Sequence, residues 1–115
     1  MEYATNIFSA LSDPIRLRSL ALIGRKGELC VCELTHALQV SQPTISKHLA
    51  ILREVGLVKD RRDAQWVLYT FANDFPQWVK DALQAAVKGT SETSVSAEDA
   101  ERLTKMARPP RLRSA

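Results

Sequence analysis

The segment 41–56 places the strongest constraint on how this chain folds. Its apolar residues recur at i, i+4 and i+7, which predicts a helix with one buried face. These residues are Ile45, Leu49 and Leu52. Ser41 and Pro43 are typical of a helix start, and Gly56 is typical of a helix stop. A shorter helix is predicted just before it, over 32–38, and the tight connection between the two indicates a helix-turn-helix.

A β-hairpin is predicted immediately after this pair of helices. Residues 57–62 and 65–71 flank Asp63-Ala64, and the second run alternates between its two faces, although the turn lacks the favoured glycine. The order helix-helix-strand-strand is that of a winged helix-turn-helix. We therefore expect a mainly α (α+β) fold, with about five helices and a two-stranded β-hairpin wing.

Helical periodicity also appears on both sides of this module. A short apolar-faced helix is expected over 3–11, and Asp13-Pro14 marks the start of another that ends near Gly24 and Gly27. Residues 75–88 return to helical spacing, with Gly89 as the predicted stop. The domain is therefore expected to cover 1–89.

The composition changes to Ser, Thr and Glu from Thr90 onward, which is typical of a linker. Ser96 and Asp99 have the spacing of a capping box, which predicts a weak helix through Met106. The prolines in 108–111 cannot continue it. We expect 90–115 to form a mobile or weakly helical tail that docks only loosely, with its basic end, 108–113, acting as a solubilising segment.

The size and charge of the chain limit its partners. One compact domain fits 115 residues, and so small a domain often buries part of its apolar surface against another subunit. The net charge of +3 is modest, and 41–65 holds only five basic residues against three acidic ones. No stretch approaches the ~20 apolar residues of a membrane span, and the start lacks a signal-peptide pattern. We expect a cytoplasmic protein with no membrane partner.

The exposed face of the helix over 41–56 is a candidate reader of double-stranded DNA, because a major groove about 12 Å wide admits one helix. Gln42 suits a paired hydrogen bond to adenine, and Lys47 suits guanine or phosphate. The full set of candidate DNA contacts is Ser41, Gln42, Thr44, Ser46, Lys47, His48, Arg61 and Arg62. For His48, a phosphate or base contact is favoured over a metal. The competing interpretation is a hydrated surface face, and for Arg61 and Arg62 solvated charges.

Cys30-Val31-Cys32 contains the only two thiols of the chain. Residues two apart lie about 200° apart around an α-helix but on the same face of an extended chain. One soft ion therefore binds both only in an extended stretch leading into the next helix, or by unwinding the first turn of that helix. Residues 28–31 suit an extended segment, but they are too few to assign. Two alternatives remain: a buried apolar cysteine, and a redox switch through a disulfide.

Four blocks of the sequence lie in the span of about 8–71: Asp13 to Arg18, Glu28 to Leu34, Ser41 to Leu49 and Leu52 to Val58. They resemble the ArsR/SmtB repressors, in particular the arsenic-responsive branch. The resemblance implies a homodimeric winged-helix repressor that binds operator DNA when metal-free and releases it on binding its inducer. It also implies a dimer interface built by the first helix and the helix over 75–88.

In this branch the Cys-Val-Cys motif binds trivalent arsenic or antimony, commonly with a third cysteine three residues after the second. Here that position is Thr35, so Cys30 and Cys32 are the expected ligands, with hydroxide or a small thiol as the third. Imidazole is a poor partner for such a thiophilic centre, which disfavours His36. The zinc-type site of other members is excluded, because 75–88 holds only Asp81 and no His.

Two other classes of function compete with a repressor. An enzyme is disfavoured because His36 and His48 form no evident base for the cysteines and no glycine-rich phosphate loop is present. No organic cofactor is expected. A protein-protein adaptor with a winged fold stays open, because a fold does not by itself fix a function.

Overall fold

The computed structural model describes residues 1–106, which form six helices and a three-stranded sheet. The elements are α1 Glu2–Ala10, α2 Pro14–Lys26, β1 Glu28–Cys30, α3 Val31–Leu38, α4 Gln42–Glu54, β2 Val58–Asp63, β3 Trp66–Phe71, α5 Gln77–Ser91 and α6 Ser94–Lys105. The winged helix-turn-helix is confirmed, with α3 and α4 as its two helices and β2-β3 as the wing. The structure has one helix and one strand more than the sequence predicts.

Local sequence signals account for the ends of α2 and α4. The Asp13 carboxylate accepts the backbone N–H groups of Ile15 (2.8 Å) and Arg16 (3.1 Å), as expected of an N-cap. After α4 the chain turns at Gly56, whose φ of 85° favours glycine. The N–H groups of Gly56 and Leu57 donate to carbonyls of the last turn of α4, each at 3.0 Å, which is the Schellman pattern.

The apolar stripe predicted for α4 forms the centre of the core. Ile45, Leu49 and Leu52 are each 0% exposed, and they lie in one cluster with buried residues of α2 and α3. The face of α4 opposite this stripe is thereby directed outward.

The sheet has the antiparallel order β1-β3-β2, with β1 added to the predicted hairpin. Cys30 lies opposite Leu68 in the β1-β3 ladder, and on the other side of β3 Arg61 lies opposite the same residue. The turn of the wing uses Ala64 at a φ of 56°, a left-handed conformation that an Asn or Gly would adopt more readily. The wing is therefore joined to the strand that carries the first cysteine.

The C-terminal part of the described chain differs from the sequence expectation. Helix α5 continues through Gly89 to Ser91, and α6 packs on α2 and α3 instead of docking loosely. The N-cap of α6 is Thr93, whose hydroxyl accepts the N–H of Ser96 at 3.2 Å. Asp99 has no capping role because it is the sixth residue of α6, and its side chain is completely buried. Residues 107–115, with the basic end 108–113, lie outside the described residues.

Asp99 explains why α6 is firmly attached. Its carboxylate accepts Nε (2.9 Å) and Nη2 (2.8 Å) of Arg18 on α2, and Nη2 of Arg102 at 2.8 Å. The hydrogen bonds that Arg18 donates to Asp99 raise the pKa of Arg18. The same arginines donate to the last carbonyls of α3, Arg18 to Leu38 (2.9 Å) and Arg102 to Ala37 (2.7 Å). We call these three charged residues the Asp99 cluster.

We expect Asp99→Ala to destabilise the protein by about 2–3 kcal/mol, because it leaves two partly buried guanidinium groups without their carboxylate. Urea unfolding of the full chain measures this loss. Glu101→Ala on the same helix is the matched control, since the Glu101–Lys105 pair is exposed and its removal should change little. Equal midpoints for the two variants would contradict the structural role given to Asp99.

Candidate thiol site and nucleic-acid interface

The two cysteines lie at the junction between β1 and α3. Cys30 ends β1 and is the N-cap of α3, with extended backbone (φ −86°, ψ 163°), while Cys32 lies in the first helical turn. Their sulfur atoms are joined as a disulfide in the structure, and their Cα atoms are 5.4 Å apart. Of the two geometries that the sequence allows, the extended stretch that leads into a helix is the one found. No helical residue has to unwind for the two sulfurs to meet.

The backbone at this junction is fixed from two sides. On one side Cys30 is paired with Leu68 in the sheet. On the other side Oε1 of the buried Glu33 accepts the Cys30 N–H at 2.9 Å. Cys30 itself is buried, whereas Cys32 is half-buried. Cys32 is therefore the more accessible of the two cysteines.

A groove of about 770 Å³ opens beside the two sulfurs. Its lining residues come from the β1-α3 junction, from the turn before α4, and from the wing. They are Cys30, Val31, Cys32, Thr35, His36, Gln39, Val40, Gln42, Gln65, Trp66 and Val67. The groove thus places the two cysteines, the first residue of α4 and the turn end of the wing around one space. Sequence reasoning missed the wing residues, because no local pattern relates 65–67 to 30–32.

The described residues supply no protein ligand beyond the two sulfurs. Thr35 occupies the position one turn after Cys32, and its hydroxyl donates to the Val31 carbonyl at 2.9 Å. His36 is exposed at the edge of the groove. Within 1–106, no three His, Cys, Asp or Glu side chains are grouped as a metal site. Once the disulfide is reduced, the chemistry available here is that of a dithiol.

The predicted DNA-reading face of α4 is on the surface. Gln42 and Lys47 are exposed, and Thr44 and Ser46 are half-buried. Two local hydrogen bonds order this face: Ser41 to Thr44 (3.0 Å) and Gln42 to Ser46 (2.7 Å). The Ser41 hydroxyl therefore bonds to a side chain and not to a free helix amide. The face presents one amide, three hydroxyls and one ammonium group.

His48 points into the protein, unlike the other candidates on α4. Its side chain is 12% exposed, and Nδ1 accepts from Nη1 of Arg16 at 3.0 Å and lies 3.8 Å from Asp13. Arg16 also donates to the carbonyl of Ala10 at 2.8 Å, at the end of α1. Burial favours the neutral form of Asp13, but hydrogen bonds from the helix amides and the nearby positive charges lower its pKa overall. The structure thus engages His48 in contacts that link α4 to α1 and α2.

The two arginines of the wing, Arg61 and Arg62, differ in whether their side chains are paired within the protein. Arg61 forms two hydrogen bonds of 2.8 Å to the carboxylate of Glu28 on β1, and these bonds raise its pKa. The side chain of Arg62 is exposed and forms no hydrogen bond or ion pair with any other residue in 1–106. Arg62 is therefore the more available of the two for a phosphate.

An aromatic surface joins α1 to α5. Tyr3, Phe8 and Trp78 are 45%, 57% and 40% exposed, respectively. The Trp78 ring meets Tyr3 edge-on, with centroids 5.6 Å apart, and stacks with Phe8 at 6.3 Å. Large exposed rings of this kind are typical of a surface that another protein covers.

None of the helices in 1–106 has the length and apolar character needed to cross a bilayer.

The family match and the two relatives described here are all regulators of the arsR type. Residues 13–60 match the family described as "Bacterial regulatory protein, arsR family". The arsenic resistance transcriptional regulator ArsR1 of Pseudomonas putida is 50% identical over 104 residues, covering 90% of this chain and 80% of that protein. The arsenical resistance operon repressor of Escherichia coli is 45% identical over 80 residues, covering 70% and 68%.

The chain is also similar to solved structures of transcriptional regulators. HlyU from Vibrio cholerae superposes with a TM-score of 0.66 at 34% identity, covering 76% of this chain and 90% of that one. This chain and HlyU are thus similar in fold as well as in sequence. The chain belongs to the ArsR/SmtB family of winged-helix metalloregulatory repressors.

Proposed function

We propose that this protein is a homodimeric repressor that binds operator DNA and releases it when trivalent arsenic or antimony binds Cys30 and Cys32. The observation that carries the proposal is the meeting of both sulfurs at the β1-α3 junction, directly before the helix-turn-helix. Thiolates select soft ions, and the two relatives named above are arsenic resistance regulators. A regulator of this kind works in the cytoplasm, where thiols are kept reduced.

DNA binding is assigned to α4 and the wing. Gln42 and Lys47 are placed for base edges or phosphates in the major groove, with Ser41, Thr44 and Ser46 beside them. Arg62 on β2 is placed for the neighbouring phosphates. Arg61 and His48 contribute through the fold, because both are engaged in internal contacts.

Release of DNA is assigned to a change in α3. The first turn of α3 carries Cys32, and its buried Leu34 and Leu38 share one cluster with Ile45 and Leu49 of α4. A ligand that pulls Cys30 and Cys32 into a new arrangement therefore acts on the helix that supports the reading helix. Such a ligand lowers DNA affinity only if it favours the form that binds DNA poorly.

A redox switch is the second candidate, because the structure joins the same two sulfurs as a disulfide. Oxidation and arsenic binding compete for one pair of thiols. In the redox case the oxidised protein itself has altered DNA affinity, with no metalloid present. The two candidates therefore differ in which reagent releases the operator under controlled thiol conditions.

We expect Cys30→Ser and Cys32→Ser to bind operator DNA but to need about 100-fold more arsenite for release, since one thiolate loses the chelate effect. Gel-shift titration with reduced protein under anaerobic conditions measures this change. A parallel titration with peroxide separates the redox alternative. Unaltered arsenite release by both serine variants would contradict the proposed inducer site.

We expect Arg62→Ala to weaken operator binding and to reduce the salt dependence of the binding constant. The slope of log K against log salt should fall by about one for each phosphate that the protein no longer touches, hence by about two in a homodimer. Lys105→Ala on α6 serves as the control, because its side chain is paired with Glu101 away from the wing. Identical slopes for Arg62→Ala and the wild type would exclude this phosphate contact.

We assign the dimer interface to the aromatic surface of α1 and α5. Phe8→Glu should convert the dimer to a monomer, because it buries a charge without a partner. Sedimentation equilibrium of the full chain reports the mass. Val95→Glu replaces another exposed apolar residue, on α6, and should leave the dimer intact. A dimeric Phe8→Glu protein would place the interface elsewhere.

A further inference from the structure

The groove beside the thiols is much larger than an inorganic ion requires. Its volume of about 770 Å³ is in the range of small-molecule pockets, and apolar side chains provide much of its lining. We propose that this groove holds the organic substituent of a monosubstituted trivalent arsenical, so that an aryl arsenical is a better inducer than arsenite. This inference rests on the proposed function and specifies the class of its ligand.

The number of thiols supports this ligand class. Trivalent arsenic forms three bonds, and the described residues offer two sulfurs. An arylarsenite, R–As(OH)₂, reacts with two thiols to give R–As(S-protein)₂ and two water molecules. Two As–O bonds break, two As–S bonds form, each thiol proton leaves with one hydroxide, and no atom is oxidised or reduced. Arsenite bound to the same two sulfurs keeps one hydroxide, whereas the arylarsenite has no third site to fill.

The position of Thr35 supports the same conclusion. Thr35 lies three residues after Cys32, where the arsenic-responsive branch commonly has a third cysteine, and it lines the same groove as Cys30 and Cys32. Its hydroxyl is a hard ligand and already donates to the Val31 carbonyl at 2.9 Å. The site therefore leaves the third position of arsenic facing the groove.

The walls of the groove suit an aromatic ring. Val40 precedes α4, while Trp66 and Val67 begin β3, and all three side chains are half-buried. A phenyl ring bound between Val40 and Trp66 contacts the Trp66 ring and displaces water from apolar surface. Burying even ~60 Å² of apolar surface corresponds to about tenfold in affinity. The ring would lie between the wing and Gln42, so it would also push on the reading helix directly.

The test compares phenylarsine oxide, which hydrates to phenylarsenite, with arsenite. Reduced full-length dimer is titrated twice: for release of operator DNA, and without DNA by intact-mass detection of the arsenic adduct in competition. We expect phenylarsenite to act at roughly tenfold lower concentration in both assays. Phosphine is the reductant, because dithiols would compete for arsenic.

Two variants separate ring binding from thiol binding. Trp66→Ala should lose most of the advantage of phenylarsenite over arsenite, and Trp66→Phe should keep it. Thr35→Cys supplies a third thiol and should shift the preference toward arsenite. If Trp66→Ala weakens both arsenicals equally, the ring does not lie in the groove and the inference is overturned.

The outcomes distinguish the inference from the function on which it rests. If neither arsenical releases DNA but phenylarsenite still wins the competition for the free protein, the inducer role fails and the ligand class stands. If both arsenicals release DNA at equal concentrations, the repressor role stands and the proposed use of the groove fails.

Discussion

The fold depends on a short helix that is held at both ends. Helix α3 has only eight residues, about 12 Å, too few to be stable alone in water. Its start is fixed by the β1-β3 ladder and by the hydrogen bond between Glu33 and the Cys30 N–H. Its last carbonyls accept hydrogen bonds from Arg18 and Arg102, which the buried Asp99 holds in place. Since α4 rests on α3, the orientation of the reading helix follows from these two anchors.

The anchors also determine how a ligand at the thiols would act. The Asp99 cluster ties the far end of α3 to α2 and α6, so a force applied at Cys32 cannot simply slide the helix along its axis. We expect a displacement of α3 to act instead on its apolar contact with Ile45 and Leu49, or on the wing through β1. Both routes end at surfaces assigned to DNA. The location of the dithiol at the end of α3 opposite the Asp99 cluster is thus consistent with a regulatory site.

Features set by neighbouring residues could be predicted from the sequence, whereas those set by distant contacts could not. The apolar stripe of α4, the Asp13 cap and the Gly56 stop are local, and all three were found. Helix α6 was underestimated because its stability comes from Arg18, 81 residues away from Asp99. The spacing of Cys30 and Cys32 allowed either an extended stretch leading into α3 or an unwound first turn of α3, and it did not decide between them. The groove joins three separate segments, so nothing in the sequence alone indicated Trp66.

The electrostatics of the proposed reading surface support the proposal that the protein binds DNA as a dimer. The net charge is only +3, and of the candidate contacts His48 and Arg61 are engaged within the protein. Each subunit then offers few free cations, chiefly Lys47 and Arg62, so the phosphate attraction of one subunit is weak. Two subunits on adjacent half-sites double that number and add the geometric selectivity of half-site spacing. In the proposed homodimer, the aromatic surface of α1 and α5 would therefore matter to operator binding as much as α4 does.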